Sequence, residues 1–157
     1  METLAEKVRN LEESPLYQAR MEHGYAPVIG EGDLDAELMF VGEAPGRQEA
    51  ESGRPFVGRA GQVLDALLSE IGVDREEVYI TNVVKDRPPR NRAPRVEEIA
   101  CYAPFLQRQI DIIRPRVIAT LGRAATKFVL EEFDRPEARE KMGDLHGQVI
   151  EDEASYG

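Results

Sequence analysis

With 157 residues, 41% of them apolar, the chain is long enough for one compact domain with a core and too short for two comfortable ones. A single cysteine, Cys101, excludes an internal disulfide framework, and no apolar run is long enough to cross a bilayer, so the expectation is a cytoplasmic monomer with no membrane partner. The net charge of -10 argues against a polyanionic partner until its distribution is read: residues 1–55 sum to -7, 56–130 to +3 and 131–157 to -6, which puts the basic excess in the middle.

Residues 2–13 carry Leu4, Val8 and Leu11 at helical spacing, and Pro15 ends that helix. From 16 to 35 there is no sustained period, and Gly24, Pro27, Gly30 and Gly32 mark an irregular approach. Residues 38–41 form the first apolar strand. Ala60, Val63, Leu64, Leu67, Leu68 and Ile71 then predict a helix over 60–71 with one face on a sheet, stopped by Gly72. Asp74 and Glu77 have capping-box spacing, and the β-branched run 78–84 reads as a second strand with Asn82 near its carboxyl end. The segment 85–95 holds Lys85, Arg87, Arg90, Arg92 and Arg95 against Asp86 alone, with three prolines; by itself this is a solvated loop. A helix follows over 96–113, which Pro104 should kink or split, then a strand over 117–121, a turn at Gly122 and a helix over 123–132. Residues 146–150 are the candidate for one more short strand. Strand and helix alternation with these crossovers predicts a three-layer α/β/α fold around a central parallel sheet of three to four strands.

The densest signal is the stretch 42–61, with five glycines and two prolines in twenty residues. It leaves the end of a strand and enters a helix, which in open α/β sheets is where ligands bind. It offers backbone N–H groups for an anion, one carboxylate (Glu43) and one aromatic ring (Phe56), a set suited to a small flat ligand attached to phosphates.

Gly42-Glu43-Ala44-Pro45-Gly46 with Glu49, the run 53–61 (Gly-Arg-Pro-Phe-Val-Gly-Arg-Ala-Gly), the run 79–85 (Tyr-Ile-Thr-Asn-Val-Val-Lys), Arg87-Pro88-Pro89 and Asn91-Arg92 together closely resemble the uracil-DNA glycosylase superfamily, and within it the thermostable iron-sulfur type often called family 4. The likeness covers roughly residues 36–147 and rests on the order and spacing of pieces that are each weak alone. It implies a hydrolase of base excision repair that flips uracil out of DNA, cuts the N-glycosidic bond and releases free uracil. Phe56 would stack on the base, Asn82 would pair with its edge, and Gly42 and Ala44 would line the base pocket. Glu43 would position or polarise water, and Lys85, Arg87, Arg90 and Arg92 would hold DNA phosphates.

Two departures qualify that expectation. The family's carboxyl-terminal His-Pro motif does not occur in the sequence, whose histidines are His23 and His146. The whole chain, 1–157, reads as one such domain, with 1–35 as its irregular, helical amino-terminal segment; truncation ahead of the motif is the economical reading and a naturally short paralogue the other. The family's cluster uses four cysteines, of which Cys101 matches one position while Asp86 stands at another, so no cofactor and no metal site are expected. This chain would then be inactive without the missing motif. The alternatives are a non-catalytic base- or DNA-binding member of the superfamily, and an unrelated nucleotide- or phosphate-handling α/β enzyme.

Overall fold

The computed structural model describes residues 1–152. Two short helices, α1 (Glu2–Arg9) and α2 (Tyr17–His23), lead into a two-residue strand β1 (Glu31–Gly32). The first long strand, β2 (Leu38–Gly42), is followed by a one-and-a-half-turn helix α3 (Arg47–Ser52) and by α4 (Arg59–Glu70), which crosses over to β3 (Tyr79–Asn82). Helix α5 (Val96–Ile113) makes the second crossover, to β4 (Val117–Thr120), and α6 (Arg123–Glu132) and α7 (Met142–Leu145) complete the described chain. Among the described residues no helix is long and apolar enough to cross a membrane.

The sheet has the order β1-β3-β2-β4, with β2, β3 and β4 parallel and β1 antiparallel on the outside of β3. Strand alternation divides the core. Met39, Val41 and Tyr79 face a large cluster built with Leu4 and Val8 of α1, Tyr102, Leu106 and Ile110 of α5, and Phe128 of α6. Val78 and Ile80 face Leu64 and Leu68 of α4, with Phe40 and Phe56 packed against them. This is the expected three-layer α/β arrangement, with a mixed rather than wholly parallel sheet.

Three local expectations change. The fourth strand is β1, not 146–150, where α7 ends in a turn and extended chain; the irregular stretch before residue 35 concealed both α2 and β1 because neither is long enough to show a period. Helix α5 is continuous, and Pro104 does not split it: Pro104 and Ala100, whose carbonyl loses its helical donor, both face solvent. On α4 the apolar face is wider than what the sheet covers, for Leu64 and Leu68 are buried while Val63, Leu67 and Ile71 are more than half exposed.

The amino-terminal helices are fastened by a buried ion pair. Arg20 of α2 reaches both carboxylate oxygens of Asp86 at 3.2 and 3.0 Å, and its guanidinium also caps the last carbonyls of α1, Val8 at 3.2 Å and Arg9 at 2.6 Å. Asp86 further accepts from the Tyr102 hydroxyl of α5 at 2.5 Å, and that hydroxyl shares a 2.7 Å hydrogen bond with Ser14. Burial lifts the Asp86 carboxyl above its usual range, although Tyr102 and Arg20 pull the other way. Removing one member of such a pair strands a buried charge, a loss of about 3–5 kcal/mol. Arg20→Met is therefore expected to lower the unfolding free energy extracted from a urea titration by about 3–5 kcal/mol without changing the sheet; an unchanged free energy would show the pair to be energetically idle.

Candidate active site

An open cleft of about 460 Å³ lies at the carboxyl ends of β2 and β3, between the chain that follows β2 and the start of α4. Parallel pairing sets Gly42, the last residue of β2, against Asn82, the last of β3, and the ladder continues past both through Val83 N–H to Gly42 O at 2.9 Å and Val84 N–H to Glu43 O at 3.0 Å. A methyl group on Gly42 would overlap Oδ1 of Asn82 and lie 2.5 Å from Cζ of Phe56, so the amide and the ring meet over a bare Cα. The Asn82 side-chain amide makes no hydrogen bond among the described residues although the residue is 2% exposed, and it lines the cleft. Ala44, half-buried, lines the same cleft.

Phe56 holds a left-handed backbone, with φ of +49°, a conformation that costs a non-glycine residue about 1–3 kcal/mol. Three contacts impose it. Glu49 accepts the N–H groups of Val57 and Gly58 at 3.1 and 2.8 Å. Arg75 donates to the carbonyls of Phe56 at 3.1 Å and Pro55 at 2.5 Å, and is itself held by Glu31 and Asp65. Gly61 lets α4 pass directly beneath the Phe56 carbonyl, where a Cβ would overlap it. Glu49 stands within the sequence motif, whereas Arg75 is 19 residues from the ring it holds and nothing local marks it.

Glu43 is half-buried at the mouth of the cleft, without a hydrogen bond or ion pair among the described residues. Its carboxylate lies against Gly122, the residue before α6, where φ is +99° and a Cβ would come within 2.8 Å of Cδ of Glu43. The amino end of a ten-residue helix is a favourable place for a negative group.

The four basic residues do not act together. Lys85 is fully enclosed, donating to Thr81 Oγ1 at 2.8 Å, Asn82 O at 2.6 Å and Gln109 Oε1 at 2.6 Å, and burial pushes its pKa well below the usual lysine value. It cannot reach a phosphate from there; it steadies the backbone of Asn82 instead. Arg92 is also redirected, because it is bidentate on buried Glu98 at 2.9 and 2.6 Å. Burial alone would raise the Glu98 pKa, but Arg92 and the Arg95 N–H outweigh it and hold the carboxyl below its usual range. A charge run read from sequence does not reveal which of its members has a carboxylate waiting. Arg87 and Arg90 remain at the surface beside Asn91, which lines the cleft. Arg47 and Arg59, at the cleft rim, were not singled out from sequence although they lie inside the glycine-rich stretch.

The residues that the resemblance marks for an iron-sulfur cluster do not fit one. Asp86 is consumed by Arg20 and Tyr102, and the lone Cys101 thiol is pushed up by burial and then by Glu13 and Asp86, the opposite of what a thiolate ligand needs.

The Uracil DNA glycosylase superfamily model matches residues 29–153, four-fifths of the sequence. The chain belongs to the uracil-DNA glycosylase superfamily. It is 49% identical over 134 residues to a type-4 uracil-DNA glycosylase of Sulfurisphaera tokodaii, a match covering 85% of this chain and 59% of that protein. A type-4 enzyme of Pyrobaculum aerophilum is 45% identical over 151 residues, 96% of this chain and 74% of the relative, and one of Thermotoga maritima 50% identical over 131 residues, 83% and 66%. The chain thus spans 59 to 74% of the length of these three relatives.

Gly42→Ala is expected to cost about 1–3 kcal/mol of unfolding free energy while leaving the far-ultraviolet circular dichroism unchanged, since the new methyl must displace the Phe56 ring and the Asn82 amide. An unchanged stability would show that ring and amide do not close on the bare Cα. A pH dependence follows from Glu31. Burial by itself would raise its pKa, but hydrogen bonds from Arg54 and Arg75 outweigh that and hold it below the usual 4.5. Because the folded value is depressed, this group stabilises the fold above pH 4.5, and the contribution fades as pH falls through the folded value. Glu31→Gln should flatten the melting temperature against pH on the acid side, and an identical profile would remove Glu31 from the Phe56 support.

Proposed function

We propose that this chain receives a uracil extruded from DNA between the ring of Phe56 and the amide of Asn82, and forms the base-recognising part of an enzyme that hydrolyses the N-glycosidic bond of uracil in DNA. The convergence of ring and amide on Gly42 carries the reading. An Asn side chain can donate to O4 and accept from N3–H of uracil, a pattern that cytosine reverses. Stacking on Phe56 and those edge hydrogen bonds offset the cost of unstacking, a few kcal/mol.

In the reaction the C1′–N1 bond breaks with its electron pair going to the base, and water adds to C1′ and releases a proton. The uracil anion needs hydrogen-bond donors, which the backbone of residues 42–46 can provide, and the oxocarbenium-like sugar is stabilised by a nearby carboxylate. Glu43, unpaired at the mouth of the cleft, is the group that would position the water. Arg87 and Arg90 would hold phosphates, and the products would be free uracil and an abasic strand, released by a cytoplasmic monomer.

A second reading is a base-binding chain that does not cleave. It is favoured by one observation: among the described residues no histidine lines the cleft, since His23 stands beside Tyr25 outside it and His146 is exposed. Titration of a short single-stranded oligonucleotide with uracil or cytosine at its centre separates these readings from an unrelated function. The intact chain is expected to prefer uracil, Asn82→Ala to lose the preference, and Phe56→Ala to weaken both by about five- to a hundredfold, the range for base-aromatic stacking. Absence of any preference in a folded protein would overturn the assignment. Abasic sites are expected only when the His-Pro motif is restored; efficient cleavage by the 157-residue chain would show that motif dispensable.

A further inference from the structure

The cleft has a neighbour. On the other side of the turn at Arg90 and Asn91 lies a hollow of about 200 Å³ walled by His23, Tyr25, Arg87, Pro88, Pro89 and Arg90. The turn is shared: Asn91 lines the cleft, Arg90 lines the hollow, and both residues hold left-handed backbones with φ of +56°. Two adjacent non-glycine residues in that region are an unusual concentration of strain, of the kind found at ligand-binding turns. Arg87 bridges the two sides, giving its Nε–H to Asn91 Oδ1 at 2.7 Å and a second N–H to the Tyr25 hydroxyl at 2.8 Å.

The floor of the hollow is a preformed aromatic stack. The rings of His23 and Tyr25 lie 5.1 Å apart and 12° from parallel, and the Arg87 guanidinium sits 5.6 Å from the centre of the Tyr25 ring. His23 is fixed by a 2.8 Å hydrogen bond between Nδ1 and the Ala19 carbonyl, so its other ring nitrogen and outer face are left to solvent. The charge here is uncompensated. Arg20, Arg54, Arg75 and Arg92 each have a carboxylate, whereas the partners of Arg87 are neutral, and Arg90 has none among the described residues. In a chain of net charge -10, two guanidinium groups without a carboxylate partner beside an ordered aromatic pair are the chemistry that a base carrying a phosphate calls for.

Resting on the reading of the cleft as a uracil site, we propose that this hollow is a second nucleotide subsite, in which the nucleotide adjacent to the extruded uracil stacks its base on the His23–Tyr25 pair and sets its phosphate between Arg87 and Arg90. The Arg90 and Asn91 turn then stands between two successive nucleotides of one strand, with Arg87 coupling their sites. Stacking does not depend on which base is presented, so the subsite adds affinity and strand geometry rather than sequence preference.

The test uses short single-stranded oligonucleotides with a central uracil, in which one flanking nucleotide at a time is replaced by a tetrahydrofuran abasic unit that keeps the phosphate and removes the base. Affinities are measured by fluorescence anisotropy for the native chain, His23→Ala, Tyr25→Phe and Arg90→Ala. One flanking replacement is expected to weaken the native chain about fivefold or more and to leave His23→Ala unaffected, while Tyr25→Phe, which keeps the ring, retains the native sensitivity. Arg90→Ala should reduce the slope of log affinity against log salt by about one. Equal sensitivity of the native chain and His23→Ala, or no sensitivity at any flank, overturns the subsite. Free thymidine monophosphate that protects His23 while every flanking replacement is silent also overturns it, in favour of a free-nucleotide site. The central position keeps the two readings apart: loss of preference for uracil over cytosine in the native chain is failure of the cleft assignment, whereas preserved preference with silent flanks is failure of the subsite alone.

Discussion

A carbon atom without a side chain, at the end of the central strand, is the constraint on which the rest of the site depends. Parallel pairing carries Gly42 and Asn82 to the same level of the sheet, and only the missing Cβ allows the Phe56 ring to close over the pair. The slot is thus made of two distant parts of the chain held in register by backbone hydrogen bonds, which are insensitive to what the side chains do. Its chemistry is correspondingly simple: one flat apolar face, one amide edge, and a carboxylate at the mouth.

Such a slot is useful only if its walls are stiff, and the two walls are stiffened differently. The ring side is a strained loop, clamped through its backbone by Glu49 and Arg75 and seated on Gly61 of α4. The amide side is an enclosed polar network. Lys85 presents its amino group to three oxygen acceptors, one of them the Asn82 carbonyl, and Gln109 carries the network on to Tyr79 and the Ile29 carbonyl. Fully satisfied networks of this kind give a unique arrangement, and they lose it when one member is removed.

The adjacent Asp86 does for the amino-terminal helices what Lys85 does for the strand. With Arg20, Tyr102 and Ser14 it ties α1, α2 and α5 to the chain that follows β3. The position that the superfamily resemblance marks for a cluster ligand is held here by Asp86, whose hydrogen-bonded ion pair does the fastening. Its reach extends to the surface, because α2 ends in His23 and leads directly to Tyr25, so the pair that anchors this helix also positions the aromatic stack beside the cleft.

Much of this was legible in the chain itself. Period-3.6 and β-branched patterns located β2, β3, β4 and the helices α4, α5 and α6, and the concentration of glycine and proline over 42–61 located the cleft, because those signals record local backbone requirements that act within a few residues. The resemblance carried by the order of the letters also singled out Phe56, Asn82 and Glu43, which the fold brings to one cleft, and Gly42, which lies against the ring and the amide. What it could not supply was partnership. Lys85 and Arg92 look as available in the sequence as Arg87 and Arg90, yet one is enclosed by Thr81, Asn82 and Gln109 and the other is held by Glu98; Arg75 carries no local sign that it supports Phe56. Local pattern determined which segments are strands, helices and glycine-rich turns. Only the tertiary structure decided which charges are spent inside the protein and which remain for a ligand, since that depends on carboxylates, carbonyls and burial contributed from far along the chain.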